Sequence, residues 1–259
     1  MSDLDNKDFI TTESESFDPD ALRAAKQEVK RQKKLFKKEQ GELRREAAKD
    51  KNAPPVRSVL EEVGNSVTHG VGALLGIAGF VLLLLKSNTG LKVMASCFFG
   101  ICLIIMFLIS CLYHAFKGGS TVKRVFRRFD YSSIYLLIGG TFAPFFLVYW
   151  GDTKGIVFFC IQWAIIILGI TLICVFGPGT LKRMHFFLYL LLGWSGLMFL
   201  PDFLKNDVPL IIFLVGGGLL YTIGCIPFKM KTSGAHFIWH FFVLAGAMTH
   251  WFGIYFFVY

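Results

Sequence analysis

The sequence predicts an all-α fold: a seven-transmembrane helix bundle with a zinc site near the cytoplasmic face and the N-terminus inside. Two observations predict the bundle. Hydrophobic residues make up 54% of the 259-residue chain, charged residues only 17%, and nearly all the charges lie outside long apolar runs. Those runs are each about the 20 residues that a helix needs to cross a bilayer. The third observation predicts the site. His236 and His240 stand four positions apart at the mouth of the last run, and that spacing stacks two imidazoles on one helical face, where they can share a metal ion.

Taken in order, the chain begins with a charged cytoplasmic tail, residues 1–57. Residues 1–18 are acidic and bear Ser and Thr, which predicts disorder. From about Pro19 to Lys51 the composition is Ala, Lys, Glu, Gln and Arg, which predicts a solvated helix. Leu22, Val29, Phe36 and Leu43 recur every seven residues, but the intervening heptad positions are Ala25, Gln32, Glu39 and Glu46. That pattern denies a coiled coil and leaves a lone charged helix beside anionic headgroups. The tail is too hydrophilic for a signal peptide, so the first span is expected to direct membrane insertion. Ala53-Pro54-Pro55 reads as a hinge before the membrane domain, residues 58–259.

Seven apolar runs follow, at about 67–86, 91–113, 130–150, 154–176, 183–203, 208–228 and 236–258. Turn signals separate several of them, including Ser87-Asn88-Thr89-Gly90, Gly177-Pro178-Gly179 and Lys231-Thr232-Ser233-Gly234. Aromatics at Tyr149-Trp150 and from Tyr255 to Tyr259 suit interfacial belts. With the N-terminus inside, Lys and Arg divide 23 on the cytoplasmic side to 4 on the other. This is the asymmetry of a multi-pass protein of the cell membrane. It also accounts for the net charge of +9 without a nucleic-acid partner, since no basic patch is interleaved with aromatics on a soluble domain. The six cysteines all fall inside apolar runs and form no CxxC pair, which argues against a thiolate metal site or a disulfide framework.

This orientation puts polar residues from four span ends at one depth. His114 closes the second run with Ser110 one turn earlier, Asp130 opens the third, and His236 and His240 open the seventh. Polar groups at membrane depth are costly and point to function. Three histidines with an open fourth position form a catalytic zinc set, in which the metal brings the pKa of its water to about 7 and makes it a nucleophile. Asp130 suits the role of general base or of orienting a ligand, and Ser110 that of donor to a developing oxyanion or back to a helix carbonyl. Glu62, Asn65 and His69 open the first span, where the acidic residue suits a helix start, and are assigned to the surroundings of the site, His69 as a hydrogen-bonding residue in preference to a fourth ligand. His185 and His250 read as hydrogen-bonded or snorkelling side chains, outside the ligand set.

Glu62-x2-Asn65-x2-Thr68-His69, Ser110-x3-His114, Asp130 and His236-x3-His240 together resemble the hemolysin III family. That family is the bacterial branch of the progestin and adiponectin receptor group, within a seven-span metal-dependent hydrolase superfamily that includes alkaline ceramidases. The resemblance covers about residues 58–259 and implies Zn2+ on His114, His236 and His240, with Asp130 and Ser110 beside it. It also implies a membrane lipid as substrate. The first expectation is thus a zinc-dependent hydrolase cutting an amide in a lipid. The alternative is a membrane receptor or sensor with a structural zinc. A pore-forming hemolysin ranks below both, since the spans lack a ring of charges. Oligomeric state is left open by the sequence.

Overall fold

The computed structural model describes residues 19–259. The expectation of disorder for residues 1–18 lies outside the described residues. Of the described residues, those up to Arg45 belong to one unit and Glu46–Tyr259 form a second. Every regular element among the described residues is helical.

Helix α1, Pro19–Lys49, is solvent-exposed over nearly all of its described side chains. Side-chain pairs one turn apart, such as Gln32 to Glu28 at 2.6 Å, run along it, each worth a few tenths of a kcal/mol.

The second unit carries seven helices long and apolar enough to cross a membrane. The first two, α2 (Val59–Lys86) and α3 (Gly90–Ala115), pack along their length. The third span is α4 (Thr121–Pro144) with a π-helical turn, Phe145–Trp150. Pro144 has no N–H to donate, and the widened turn follows directly where the ladder is broken. The fourth is α5 (Thr153–Phe176). The fifth is broken into α6 (Lys182–Gly193), a 3₁₀ stretch at Trp194–Phe199 and α7 (Leu200–Asn206). Gly193, Gly196 and Pro201 fall at this break, and each weakens α-helical continuity. The last two, α8 (Val208–Lys229) and α9 (Ala235–Phe257), pair closely, and α9 also packs on α2.

Two spans begin earlier than their apolar runs. Ser58 caps α2 by accepting from the Glu61 amide, and Glu61 and Glu62 occupy its first turn, where carboxylates favour the helix dipole. Ser120 caps α4 in the same way through the Lys123 amide. Helix α4 therefore starts two turns before residue 130, which lifts Asp130 off the helix end and into its body.

Large aliphatic side chains face outward on every span, with Leu85 80% and Ile212 71% exposed. For a protein in water such a belt would be a liability; against lipid tails it is the required surface. Inside, Phe99, Leu103, Met106 and Phe107 of α3 meet Phe142, Phe145, Phe199 and Trp251. Backbones come close where a side chain would not fit: a Cβ on Gly140 would lie 2.6 Å from Cys102 Cβ, the small-residue packing that membrane helices use. Trp150 donates to Asp202 at 2.8 Å and Tyr149 to Asp207 at 2.7 Å, so these aromatics anchor their polar tips on carboxylates.

The segment before α2 is not a loose hinge. The Asn52 amide donates to the Phe176 carbonyl at 3.0 Å and accepts from the Gly179 amide at 2.9 Å. Arg124 pairs with Asp50, and Arg127 donates to the Lys51 carbonyl at 3.3 Å.

Candidate metal centre

Four helices deliver the polar residues to one end of the bundle, where α2, α4, α6 and α9 begin. Helix α9 supplies His236 and His240, whose ring centroids are 4.9 Å apart. Helix α3 supplies His114, with centroids 5.3 Å from His236 and 4.8 Å from His240. One nitrogen from each of the three lies within 4.8 Å of the others, and the three residues are positioned to hold a metal ion. They are the three histidines expected from the span-end pattern.

The hydrogen bonds around the rings test whether an ion fits. His114 Nδ1 lies 2.6 Å from Glu62 Oε2, while His114 Nε2 is buried with no partner. Donation from Nδ1–H to the carboxylate leaves Nε2 with a free lone pair. His240 Nδ1 lies 3.2 Å from the Asn65 carbonyl oxygen, an acceptor only, which fixes its other nitrogen as a lone-pair donor in the same way. Two rings thus show the tautomer a divalent metal requires, with the carboxylate and carbonyl supports that metal-bound histidines ordinarily have.

The first-span residues expected to support the site divide between two kinds of contact. Glu62 and Asn65 touch histidines of the group directly, and the Asn65 side-chain amide is also 3.4 Å from His114 Nδ1. His69 instead stacks on His240, centroids 3.7 Å apart at 17°, and meets Phe107 edge-on. Both its ring nitrogens are buried and unpaired, and it lies outside the three-histidine group.

Ser110 and Asp130 reach one chamber from α3 and α4. Both line a cavity of about 540 Å³, which is also lined by His236 and His240. The cavity runs past Leu137, Ile138, Phe142 and Val243 into the apolar interior.

Two cations beside the histidine group escaped sequence reasoning. Lys123 is fully buried, its ammonium 3.0 Å from Glu62 Oε1, on the far side of the carboxylate that holds His114. Arg57 lines the cavity with its Nη1 buried and unpaired. Both were counted among the Lys and Arg that fix orientation. The overlooked signal for Lys123 is its register: Lys123, Arg127 and Asp130 at i, i+4, i+7 share one face of α4.

His185 and His250 stand apart from the metal cluster, as expected, and each has a hydrogen-bond partner. His185 Nδ1 is 2.9 Å from the Tyr135 hydroxyl, and His250 Nε2 is 3.1 Å from the Leu214 carbonyl.

Comparison with known proteins covers the same region. Residues 57–251 match the family described as Haemolysin-III related. The chain is 33% identical to Hemolysin-3 of Bacillus cereus over 205 residues, spanning 77% of this chain and 93% of that protein. It is 32% identical to a Hemolysin-3 homolog of Bacillus subtilis, again over 77% of this chain and 95% of the relative. A human protein, monocyte to macrophage differentiation factor, is 26% identical over 77% of this chain and 85% of its own length. By its seven spans, its histidine cluster and these matches, the chain belongs to the haemolysin III family of integral membrane proteins.

Proposed function

We propose that this chain is a zinc-dependent hydrolase that cleaves an amide bond in a membrane lipid. The observation that carries this reading is one continuous cavity lined by His236, His240, Ser110 and Asp130 and by a long apolar wall. A zinc ion on His114, His236 and His240 would supply a Lewis acid and an activated water. Asp130 would take the proton from the attacking water and pass it to the leaving amine. Ser110 would orient that carboxylate, or turn its hydroxyl toward the developing oxyanion. Arg57, lining the same chamber, would stabilise negative charge that builds during attack. The apolar wall would hold the acyl chain and keep bulk water from it.

The decisive variant is Asp130→Asn. Turnover on amide-bearing lipids, followed by mass spectrometry, is expected to fall at least a hundredfold, the ordinary worth of a general base, while metal content stays at the wild-type level. Retained turnover would remove Asp130 from the chemistry.

A sensor with structural metal is the second reading. The buried Lys123–Glu62–His114 chain favours it, because that chain ties the metal cluster to the starts of α2 and α4. Ligand occupancy could then bias helix packing. In that case every lipid amide screened stays intact, whereas His236→Ala still lowers thermal stability.

The charge asymmetry supports a cytoplasmic N-terminus and a cavity mouth facing the cytoplasm. A reporter that works only outside the cell, fused after Tyr259, is expected to be active. Activity of the same reporter fused before the first span instead would reverse the orientation.

A further inference from the structure

The cavity extends well beyond the metal cluster. On α9, His250 lies ten residues past His240, about 15 Å further along the axis at 1.5 Å per residue, and both rings line the chamber. His250 is 5% exposed. Its Nε2 faces the Leu214 carbonyl at 3.1 Å. A carbonyl only accepts, so Nε2 carries the proton and Nδ1 presents a lone pair. That Nδ1 is buried and has no partner.

Beside it is Tyr221 of α8, ring centroids 5.6 Å apart. Its hydroxyl is likewise buried and unpaired, and its ring lines the same chamber. The backbone makes room for both rings. A Cβ on Gly217 would lie 2.4 Å from His250 Nε2, and one on Gly246 would lie 2.9 Å from Tyr221 Cε1. Neighbouring hydroxyls are already engaged: Thr141 donates to the Leu137 carbonyl at 2.7 Å and Thr222 to the Gly218 carbonyl at 2.8 Å. The Trp194 indole donates to Thr222 at 3.1 Å. One acceptor and one phenol, each without a partner, therefore lie side by side in a chamber lined mostly by apolar side chains. Polar groups left unpaired at such depth are costly and mark a binding function.

We propose that this far end recognises a hydroxyl group on the apolar chain of the ligand. The hydroxyl donates to His250 Nδ1 and accepts from the Tyr221 phenol, satisfying both groups at once. A ketone at the same place accepts from Tyr221 but leaves Nδ1 unpaired, and a plain methylene leaves both unpaired. The substrate class narrows to lipids whose chain carries a hydroxyl remote from the reacting group. The site itself does not depend on the hydrolase reading, which decides only that the ligand's reacting end lies at the metal.

The test is competition for the chamber by protein in nanodiscs carrying a fluorescent dodecanoyl probe, a chain chosen for the span of about 15 Å. The competitors are ω-hydroxydodecanoate, ω-oxododecanoate and dodecanoate, each with protein as purified and after chelator treatment. The hydroxylated chain is expected to bind about tenfold tighter than the plain one, the worth of one to two net hydrogen bonds, with the oxo chain between them. Tyr221→Phe, which removes only the phenol oxygen, is expected to narrow the preference most of the way to parity. The preference is expected to survive chelation, so that it fails or stands apart from the hydrolase reading. A preference that disappears with the metal would place the hydroxyl at the histidine cluster and overturn the proposal. Equal affinity for hydroxylated and plain chains in wild type would overturn it too. So would an undiminished preference in Tyr221→Phe of unchanged melting temperature, and an ordered water between the two side chains would then be their partner.

Discussion

Purified wild-type protein is expected to carry about one metal ion per chain, as befits a single three-histidine site, and the double variant His236→Ala/His240→Ala is expected to carry none. Two of the three nitrogen ligands go, and a lone His114 imidazole holds a divalent ion too weakly to survive purification. Metal sites of this kind bind with about 10–16 kcal/mol in small zinc domains, so even half of that loss empties the site. Glu62→Gln provides the graded counterpart. It keeps all three ligands but turns the carboxylate facing His114 Nδ1 at 2.6 Å into an amide. Metal affinity is expected to fall by roughly ten- to a hundredfold, as when other carboxylate supports of metal-bound histidines are lost. Elemental mass spectrometry of the detergent-solubilised proteins measures the first outcome, and competition with a chelator the second. Full metal content in the double variant would remove α9 from the site. Wild type that never contains metal, even when prepared in added zinc, would sink both readings under which the histidines are ligands.

The bundle was legible because a bilayer forces a signature on sequence: apolar runs of crossing length, with polar residues pushed to their ends. The three-histidine group was legible for the same reason. His114, His236 and His240 are polar residues at span ends, and the i, i+4 pair declares its helical face. Helix starts were less legible. The first turns of α2 and α4 are capped by Ser58 and Ser120 and carry charge, so hydropathy misses them. The break in the fifth span was hidden from hydropathy, since Trp194–Phe199 is as apolar as a regular helix would be, and only Gly193, Gly196 and Pro201 mark it. The surroundings of the ligands were invisible for a different reason. The partner of Glu62 is Lys123, on another helix, and its one local mark, a shared face with Arg127 and Asp130, does not say whether that face meets a carboxylate or phospholipid headgroups. Burial made the difference: Lys123 is 0% exposed, while the charge asymmetry counts it simply as one of the cytoplasmic-side cations.

That burial leads to the second large effect, on Lys123→Met. The ammonium sits 3.0 Å from Glu62 Oε1 and 3.0 Å from the Phe116 carbonyl, with the His114 carbonyl at 3.4 Å. It therefore balances a carboxylate and satisfies carbonyls at the end of α3 that no helical N–H can reach. It also lies over the Tyr113 ring, 4.9 Å from its centroid. Methionine fills much the same volume and removes all of this. The Glu62 carboxylate is then left against His114 alone in a largely buried position, and breaking one side of a buried pair costs about 3–5 kcal/mol. A marked loss of thermal stability in detergent is expected. The double variant Lys123→Met/Glu62→Gln tests the cause. If the stranded carboxylate is what destabilises, removing its charge should recover a substantial part of the loss, and the two substitutions should be strongly non-additive. The same double variant should still bind metal more weakly than wild type, because its amide supports His114 less well than a carboxylate does. Additive losses would mean that Lys123 acts through the α3 carbonyls alone. Recovered stability together with weakened metal binding would identify Lys123 as the countercharge that lets the chain keep a carboxylate behind a metal-ligating histidine inside a membrane.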